Sequence, residues 1–242
     1  DGSFGPPETG ARVAALADGG YVVAWVDRDT GGAFLRPFDA LGEPRSDAVR
    51  VGGPDFWTGV DVAAAGAGFQ LVLAGRNGAG DPLVVRQRYA ADATFEALLD
   101  AAGFGEAVSA PTITEEGAGF FFAVHALAPD ADVFGAVGGG ATRSVAQQSD
   151  AQTAPDAARL PGGRVVVAFQ DEFSGTDEDV FFALYDPSGA TVLDREEVAS
   201  RSLGQTQPAV AALIGTQFTE VFVVAYVDAF PGDGSGAGIA YR

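Results

Sequence analysis

Acidic residues in apolar segments are the first candidates for chemistry in this sequence. Asp61 lies in the segment VDVAAA and Asp156 in PDAARL, at comparable positions, and Glu115 and Glu116 lie near the end of a similar segment. Glycoside hydrolysis needs two carboxyl groups at a fixed separation, one of them with a raised pKa. We favour a structural role, in which these acids begin or end strands and bond to the neighbouring backbone or to Arg. A hydrolase is the alternative.

A second group of acids lies in segments rich in Gly, which predict loops. Most of them are in DEFSGTDED and DAFPGDGSG. Clustered carboxylate and carbonyl oxygens suit Ca²⁺, although neither segment has the spacing of an EF-hand. We favour turn formation and solvation as their role, with calcium binding as the alternative. The candidate calcium ligands are Asp171, Asp177, Asp179, Asp228 and Asp233.

Aromatic and polar residues beside the predicted loops form a third group. A tryptophan exposed next to polar loops can stack on a sugar ring, and the alternative is a ring wedged between neighbouring repeats. A lone histidine needs an oriented partner and a nucleophile before it can act as a base, and His125 is the only one here. The candidate ligand-binding residues are Trp57, Phe56, Arg76, His125, Gln170 and Asp171.

The composition excludes several kinds of protein. Cysteine is absent, which removes disulfides, thiolate metal sites and cysteine nucleophiles. There is no Gly-x-Ser-x-Gly elbow. All 14 basic residues are Arg against 33 acids, and the net charge of -19 repels nucleic acid and anionic membranes. A GC-rich genome and a saline habitat are the two explanations for this acidity.

Elements that would position these residues recur five times along the chain. Each unit has an apolar first strand, a glycine, a strongly apolar second strand and a third strand followed by a turn. The second strands are YVVAWVD, FQLVLAG, FFFAVHA, VVVAFQD and FVVAYVD. Dividing 242 residues by five gives about 48, the length of a propeller blade of four strands.

The repeats predict an all-β fold, namely one five-bladed β-propeller domain over residues 1–242. The expected blades are roughly 11–59, 60–109, 110–154, 155–207, and 208–242 together with 1–10. The fifth unit lacks a fourth strand, so we expect Ser3–Pro7 to complete it and close the ring. A sandwich of two long sheets is the alternative fold. Loops between second and third strands would share the face over the channel, where ligands usually bind.

The motif ARVAALADGGYVVAW with FLRPFDALG, and again PAVAAL with FVVAYVD, resembles a repeat of large secreted bacterial proteins. These are haemolysin-type (RTX) proteins and related surface adhesins. The glycine-aspartate nonapeptides that bind calcium in such proteins are absent here. The resemblance implies a non-catalytic module for surface display or binding.

We therefore predict an extracellular or cell-surface binding module, lectin-like at the channel face, with a glycan or a surface protein as partner. No cofactor is required, and Ca²⁺ is an optional ligand. Nucleic-acid binding and membrane insertion are not expected. Because the chain begins at Asp1 rather than Met, we expect it to be part of a larger polypeptide. A five-bladed-propeller glycoside hydrolase and a structural adhesin spacer without a small ligand are the alternatives.

Overall fold

A computed structural model describes residues 9–52, 56–104, 107–114, 121–126, 131–137, 143–173, 177–199, 204–213, 221–228 and 238–241. All regular secondary structure in these residues is β-strand. The chain divides into two compact units, Asp1–Glu116 and Gly117–Arg242. None of the described residues form a helix that could cross a membrane.

The first unit contains two antiparallel four-stranded sheets, each with its strands in chain order. The strands of the first sheet are β1 (Thr9–Ala15), β2 (Tyr21–Asp27), β3 (Gly32–Phe38) and β4 (Val49–Val51). Those of the second are β5 (Phe56–Ala65), β6 (Gly68–Arg76), β7 (Pro82–Tyr89) and β8 (Phe95–Gly103). Strand β9 (Val108–Ile113) follows and packs against β5 and β6.

The second unit repeats the same arrangement of antiparallel strands in chain order. It begins with β10 (Phe121–Ala126), β11 (Asp132–Val137) and β12 (Arg143–Ala146). A four-stranded sheet follows, made of β13 (Gln152–Arg159), β14 (Val165–Phe173), β15 (Asp177–Tyr185) and β16 (Thr191–Ala199). The last described strands are β17 (Gln205–Ala212), β18 (Phe222–Asp228) and β19 (Gly238–Tyr241). The strands therefore follow the order that the repeats predict.

The second strand of each repeat carries much of the core. In β6 every residue from Gly68 to Gly75 is buried, as expected for a strand that is covered on both faces. Strand β2 differs, because buried and half-buried residues alternate along it. Val22, Ala24 and Val26 join the core shared with β5 and β6, whereas Trp25 lies on the other face. Within the first unit, the first sheet is thus buried mainly on one face.

The first strands share a β-bulge near their beginning. The register with the second strand shifts between Thr9 and Arg12 in β1, and between Thr153 and Asp156 in β13. Gly10 and Ala154 lie at these bulges with φ of 69° and 48°. A bulge adds one residue to a strand and re-aims the side chains that follow it. It therefore sets the direction of the next residues, including Asp156.

The predicted closure by Ser3–Pro7 lies outside the described residues, and the single domain stays a prediction. Within the described residues, the sheet of β17, β18 and β19 has three strands, consistent with the missing fourth strand of the last repeat. The turns between first and second strands follow the expected glycine chemistry. Gly19 and Gly163 have φ of 85° and 87°, which favours glycine over any other residue.

Candidate functional site

The first-strand acids occupy one equivalent position in their sheets. Asp61 in β5 lies opposite Val72, and Asp156 in β13 lies opposite Ala168. Val72 and Ala168 are the fourth residues of their aligned second-strand segments, FQLVLAG and VVVAFQD. Both acids come shortly after the bulge of their strand. The repeat therefore places two carboxylates at the same register position, opposite the fourth residue of the second-strand segment.

Asp61 links the first strands of three successive repeats in the first unit. Its Oδ2 accepts a hydrogen bond from the backbone N–H of Ile113 at 2.8 Å. Its Oδ1 lies 3.6 Å from Nε of Arg12, and the two side chains are 13% and 51% exposed. The carboxylate is thus largely buried but reaches a side chain that meets solvent. Both contacts stabilise negative charge on Asp61.

Asp156 makes the corresponding contact in the second unit. Its Oδ2 accepts a hydrogen bond from the backbone N–H of Val210 at 2.7 Å, and its side chain is half-buried. Val210 follows Ala209, which lies opposite Ala225 in β18 just as Asp156 lies opposite Ala168. Each acid therefore bonds to the first strand of the following repeat. These bonds match the prediction that the acids bond to the neighbouring backbone. Whether the carboxylates also take part in a reaction is tested by an activity assay.

Trp57 does not offer its ring to solvent. It is 2% exposed and belongs to the core shared by the first two sheets, and its backbone N–H donates to the carbonyl of Gly31 at 2.8 Å. The expectation that Trp57 is exposed and stacks on a sugar is therefore wrong, and the alternative of a ring wedged between neighbouring repeats is correct, because the ring is buried. The bond to Gly31 holds the start of β5 against the first sheet. Phe56 is 49% exposed and packs on Gly31.

The remaining ligand-binding candidates are not brought together in one cluster. Arg76 is exposed and donates to the carbonyl of Gly80 at 2.9 Å within its own hairpin. Gln170 donates to Glu178 at 2.7 Å and accepts the backbone N–H of Gln207 at 3.2 Å. His125 lies in β10 opposite Val133, and its side chain lies outside what the structure describes. Each described side chain is thus engaged by its own sheet or by the next one.

Asp171 is a buried structural carboxylate. It is 2% exposed, accepts a hydrogen bond from Nε2 of Gln152 at 3.0 Å and another from Nε of Arg195 at 2.7 Å. The guanidinium of Arg195 also lies 4.2 Å from the centroid of the Phe181 ring. Neutralised by Arg195 in this way, Asp171 is poorly placed to bind a ligand. The motif Gln-Thr-x-Pro, present at Gln152 and Gln205, is the sequence signal for this network.

The predicted calcium ligands divide between two environments. Asp228 accepts a hydrogen bond from Gln205 at 3.2 Å, in the same relation as Asp171 to Gln152. Asp177 and Asp179 begin β15, where Asp179 lies directly opposite Asp171. Asp233 lies outside the described residues. Among the residues that the structure describes, no group of three or more His, Cys, Asp or Glu side chains is arranged to hold a metal ion.

Loop acids at the ends of strands mostly form turns. Asp27 accepts hydrogen bonds from the Thr30 hydroxyl at 2.8 Å and from the backbone N–H of Asp29 at 2.9 Å. The bond from the Thr30 side chain is the main reason why the pKa of Asp27 is below its usual value. Asp186 has a lowered pKa for the same kind of reason, chiefly its bond from Ser188. These acids act as acceptors that hold their own loops.

No protein-family profile matches the chain. No curated protein matches it in sequence either.

Solved structures do resemble it. One is a GH93 α-L-arabinofuranosidase of Fusarium graminearum in complex with arabinobiose, with a TM-score of 0.65 and 13% identity, covering 96% of this chain and 80% of that one. Another is an α-L-arabinofuranosidase of Podospora anserina in complex with cellotriose, with a TM-score of 0.55 and 11% identity, covering 100% and 92%. A thermostable family-43 glycoside hydrolase has a TM-score of 0.55 and 11% identity, covering 97% and 88%.

These likenesses support a β-propeller-like all-β fold for the chain. They also correct the functional prediction. A non-catalytic, lectin-like binding module was expected, with a glycoside hydrolase as its alternative. The similar structures are mostly glycoside hydrolases, so they favour the alternative.

Proposed function

We propose that this chain is a glycoside hydrolase, with Asp61 of the first unit and Asp156 of the second as the candidate reacting carboxylates. The observation that carries the proposal is the matching placement of the two acids, at one register position of their repeats and after a bulge. The fold likeness to arabinofuranosidases supports it, although fold alone does not define an activity.

The proposal includes a ring of five blades. Five repeats with the same strand order would bury their apolar faces best by packing side by side in a circle, and closure leaves no open end. The expected closure by Ser3–Pro7 would complete the last repeat beside β19, which is the edge strand of the last described sheet.

The surroundings of both acids favour the charged form of the carboxyl group. Arg12 lies beside Asp61 and stabilises its negative charge, which suits a nucleophile or a general base. The bond from the Val210 N–H likewise stabilises the charged form of Asp156, so the two acids are interchangeable candidates for the nucleophile or base and for the general acid. The substrate class that the similar structures suggest is an α-L-arabinofuranoside. No cofactor is needed for this reaction.

Hydrolysis of 4-nitrophenyl α-L-arabinofuranoside, followed at 400 nm, tests the proposal. Asp61→Asn keeps an oxygen that can accept the Ile113 N–H, so the fold should be preserved while the reacting carboxylate is lost. We expect kcat/KM to fall about 100-fold or more in this variant and in Asp156→Asn. Glu43→Gln, an exposed acid in the connection between β3 and β4, is the matched control and should keep full activity.

Thermal unfolding of each variant separates loss of chemistry from loss of structure. If both Asn variants keep their melting temperature and their activity, the two acids are structural and the assignment is wrong. If the wild-type protein hydrolyses none of a panel of arabinofuranosides, xylosides and galactosides, the hydrolase proposal itself fails.

A further inference from the structure

A groove of about 440 Å³ opens on the second unit, and Asp156 is not among its described lining residues. We call it the β16 groove, since residues of β16 line it together with residues of β15 and β18. The described residues that line it are Phe182, Leu193, Glu196, Glu197, Val198, Phe222 and Val224. A volume of this size matches cavities that hold small organic ligands, which run from about 300 to 1,000 Å³.

A bulge in β16 brings an apolar and an acidic side chain to the same face. Leu193 lies opposite Leu184, and Glu196 lies opposite Phe182. Leu184 and Phe182 are two residues apart in β15, whereas Leu193 and Glu196 are three residues apart in β16, so β16 contains one extra residue. Arg195 lies within this bulge with φ of 43° and turns to Asp171 on the other face. Leu193 and Glu196 therefore both face the groove, although they are three residues apart.

The floor of the groove is apolar and aromatic. Phe182 and Phe222 meet edge to face with their ring centroids 5.1 Å apart. Val198 and Val224 are 6% and 1% exposed and belong to the core beneath. Leu193 at the rim is 40% exposed, an apolar surface that a ligand would cover.

The negative charge in the groove favours a positively charged ligand. Glu196 is exposed and has no ion pair or hydrogen bond with the residues that the structure describes. No basic residue is among the described groove residues, and the chain as a whole carries a net charge of -19. A cation is therefore attracted to Glu196, while aromatic rings favour both cations and apolar groups.

We propose that the β16 groove binds a small organic cation with an apolar body, of the arylalkyl ammonium class. The body covers Leu193 and the Phe182–Phe222 pair, and the ammonium group lies next to Glu196. This site is independent of the proposed hydrolase activity, because none of its residues contributes to the first-strand acids.

The test uses the whole chain with its Leu and Val methyl groups labelled with ¹³C, titrated with phenethylammonium chloride and with neutral 2-phenylethanol. We expect phenethylammonium to shift the methyl signals of Leu193, Val198 and Val224, and to bind more tightly than the alcohol. Leu193→Ala identifies the Leu193 signals and should weaken both probes about threefold.

Glu196→Gln isolates the charge. We expect it to weaken phenethylammonium about three- to fivefold and to leave 2-phenylethanol unchanged. Glu43→Gln, in the first unit, should change neither. Equal affinity for the two probes, an unchanged affinity in Glu196→Gln, or shifts confined to other methyl groups would overturn the proposal. So would self-association that increases with protein concentration and protects the groove methyl groups without any probe.

Discussion

Side chains at positive φ mark the bulges of two first strands. Ala154 and Gln207 have φ of 48° and 53°, a region in which any residue with a Cβ is strained by about 1–2 kcal/mol. In β1 the corresponding position is Gly10, with φ of 69°. The bulge is thus retained even where the residue type opposes it, so the surrounding strands must hold it in place.

Replacing one of these residues by glycine should stabilise the protein. Gln207 is exposed, and the contact it makes uses its backbone N–H, so Gln207→Gly removes strain and keeps the bond to Gln170. After the entropy cost of glycine, we expect a gain of about 0.5–1 kcal/mol in the free energy of unfolding. Urea denaturation measures it.

Gly10→Ala is the reverse experiment. No neighbouring atom lies within 4 Å of the point where its Cβ would be, so only the backbone conformation opposes the change. A loss of about 1 kcal/mol is expected. If Gly10→Ala stabilises the protein, or if Gln207→Gly destabilises it, backbone strain does not control stability at the bulges.

At the scale of the strand, buried polar networks connect residues that are far apart in sequence. Arg195 of β16 pairs with Asp171 of β14, and Arg86 of β7 pairs with Asp100 of β8 while it contacts Gln70 of β6. Removing one partner of a buried pair leaves an uncompensated charge. We therefore expect Arg195→Ala to lower the free energy of unfolding by about 3 kcal/mol.

Arg45→Ala is the matched surface control. Arg45 pairs with Asp18 through side chains that are 22% and 49% exposed, and an ion pair in contact with solvent contributes little to stability. Guanidinium denaturation of both variants makes the comparison. Equal losses would mean that the Asp171 network contributes no more than a surface ion pair.

The strands were predictable from sequence because alternation, glycine turns and repetition are local signals. The placement of Trp57 and Asp171 was not. Asp171 meets partners 19 and 24 residues away, and the bonds of Asp61 and Asp156 reach 52 and 54 residues along the chain. Such contacts depend on how one repeat packs on the next, which no single segment determines. For this reason the sequence predicted a ligand-binding role for Asp171 at the end of a strand, whereas the structure shows a buried hydrogen-bond acceptor.

At the scale of the whole molecule, two buried tyrosines limit stability at alkaline pH. Burial raises the pKa of Tyr89 from 10.0 to about 12. Burial, and secondarily the charge of Asp194, raises the pKa of Tyr185 to about 12. The unfolded chain releases these protons near pH 10, so the stabilisation is complete below pH 10 and is lost between pH 10 and about 12.

Absorbance at 295 nm and circular dichroism, recorded together, test this expectation. Two phenols should titrate only as the sheets unfold, and Tyr89→Phe should flatten the fall in stability above pH 10. Ionisation of all the tyrosines near pH 10 in a protein that stays folded would contradict the burial of these hydroxyls.

Self-repulsion of the acidic chain leads to a last expectation, on salt. The net charge of -19 opposes the compact state, and the Debye length falls from about 30 Å at 0.01 M salt to about 8 Å at 0.15 M. We expect the melting temperature to rise by several degrees over this range, equally in NaCl and KCl, and to level off by about 0.5 M. Calorimetry in NaCl and in KCl measures the melting temperature.

A rise that levels off by about 0.5 M fits an acidity that comes from codon usage, whereas a continued rise into molar salt would indicate a chain adapted to brine. A melting temperature that does not change below 0.15 M would show that the acids lie too far apart, or too close to Arg, to repel one another.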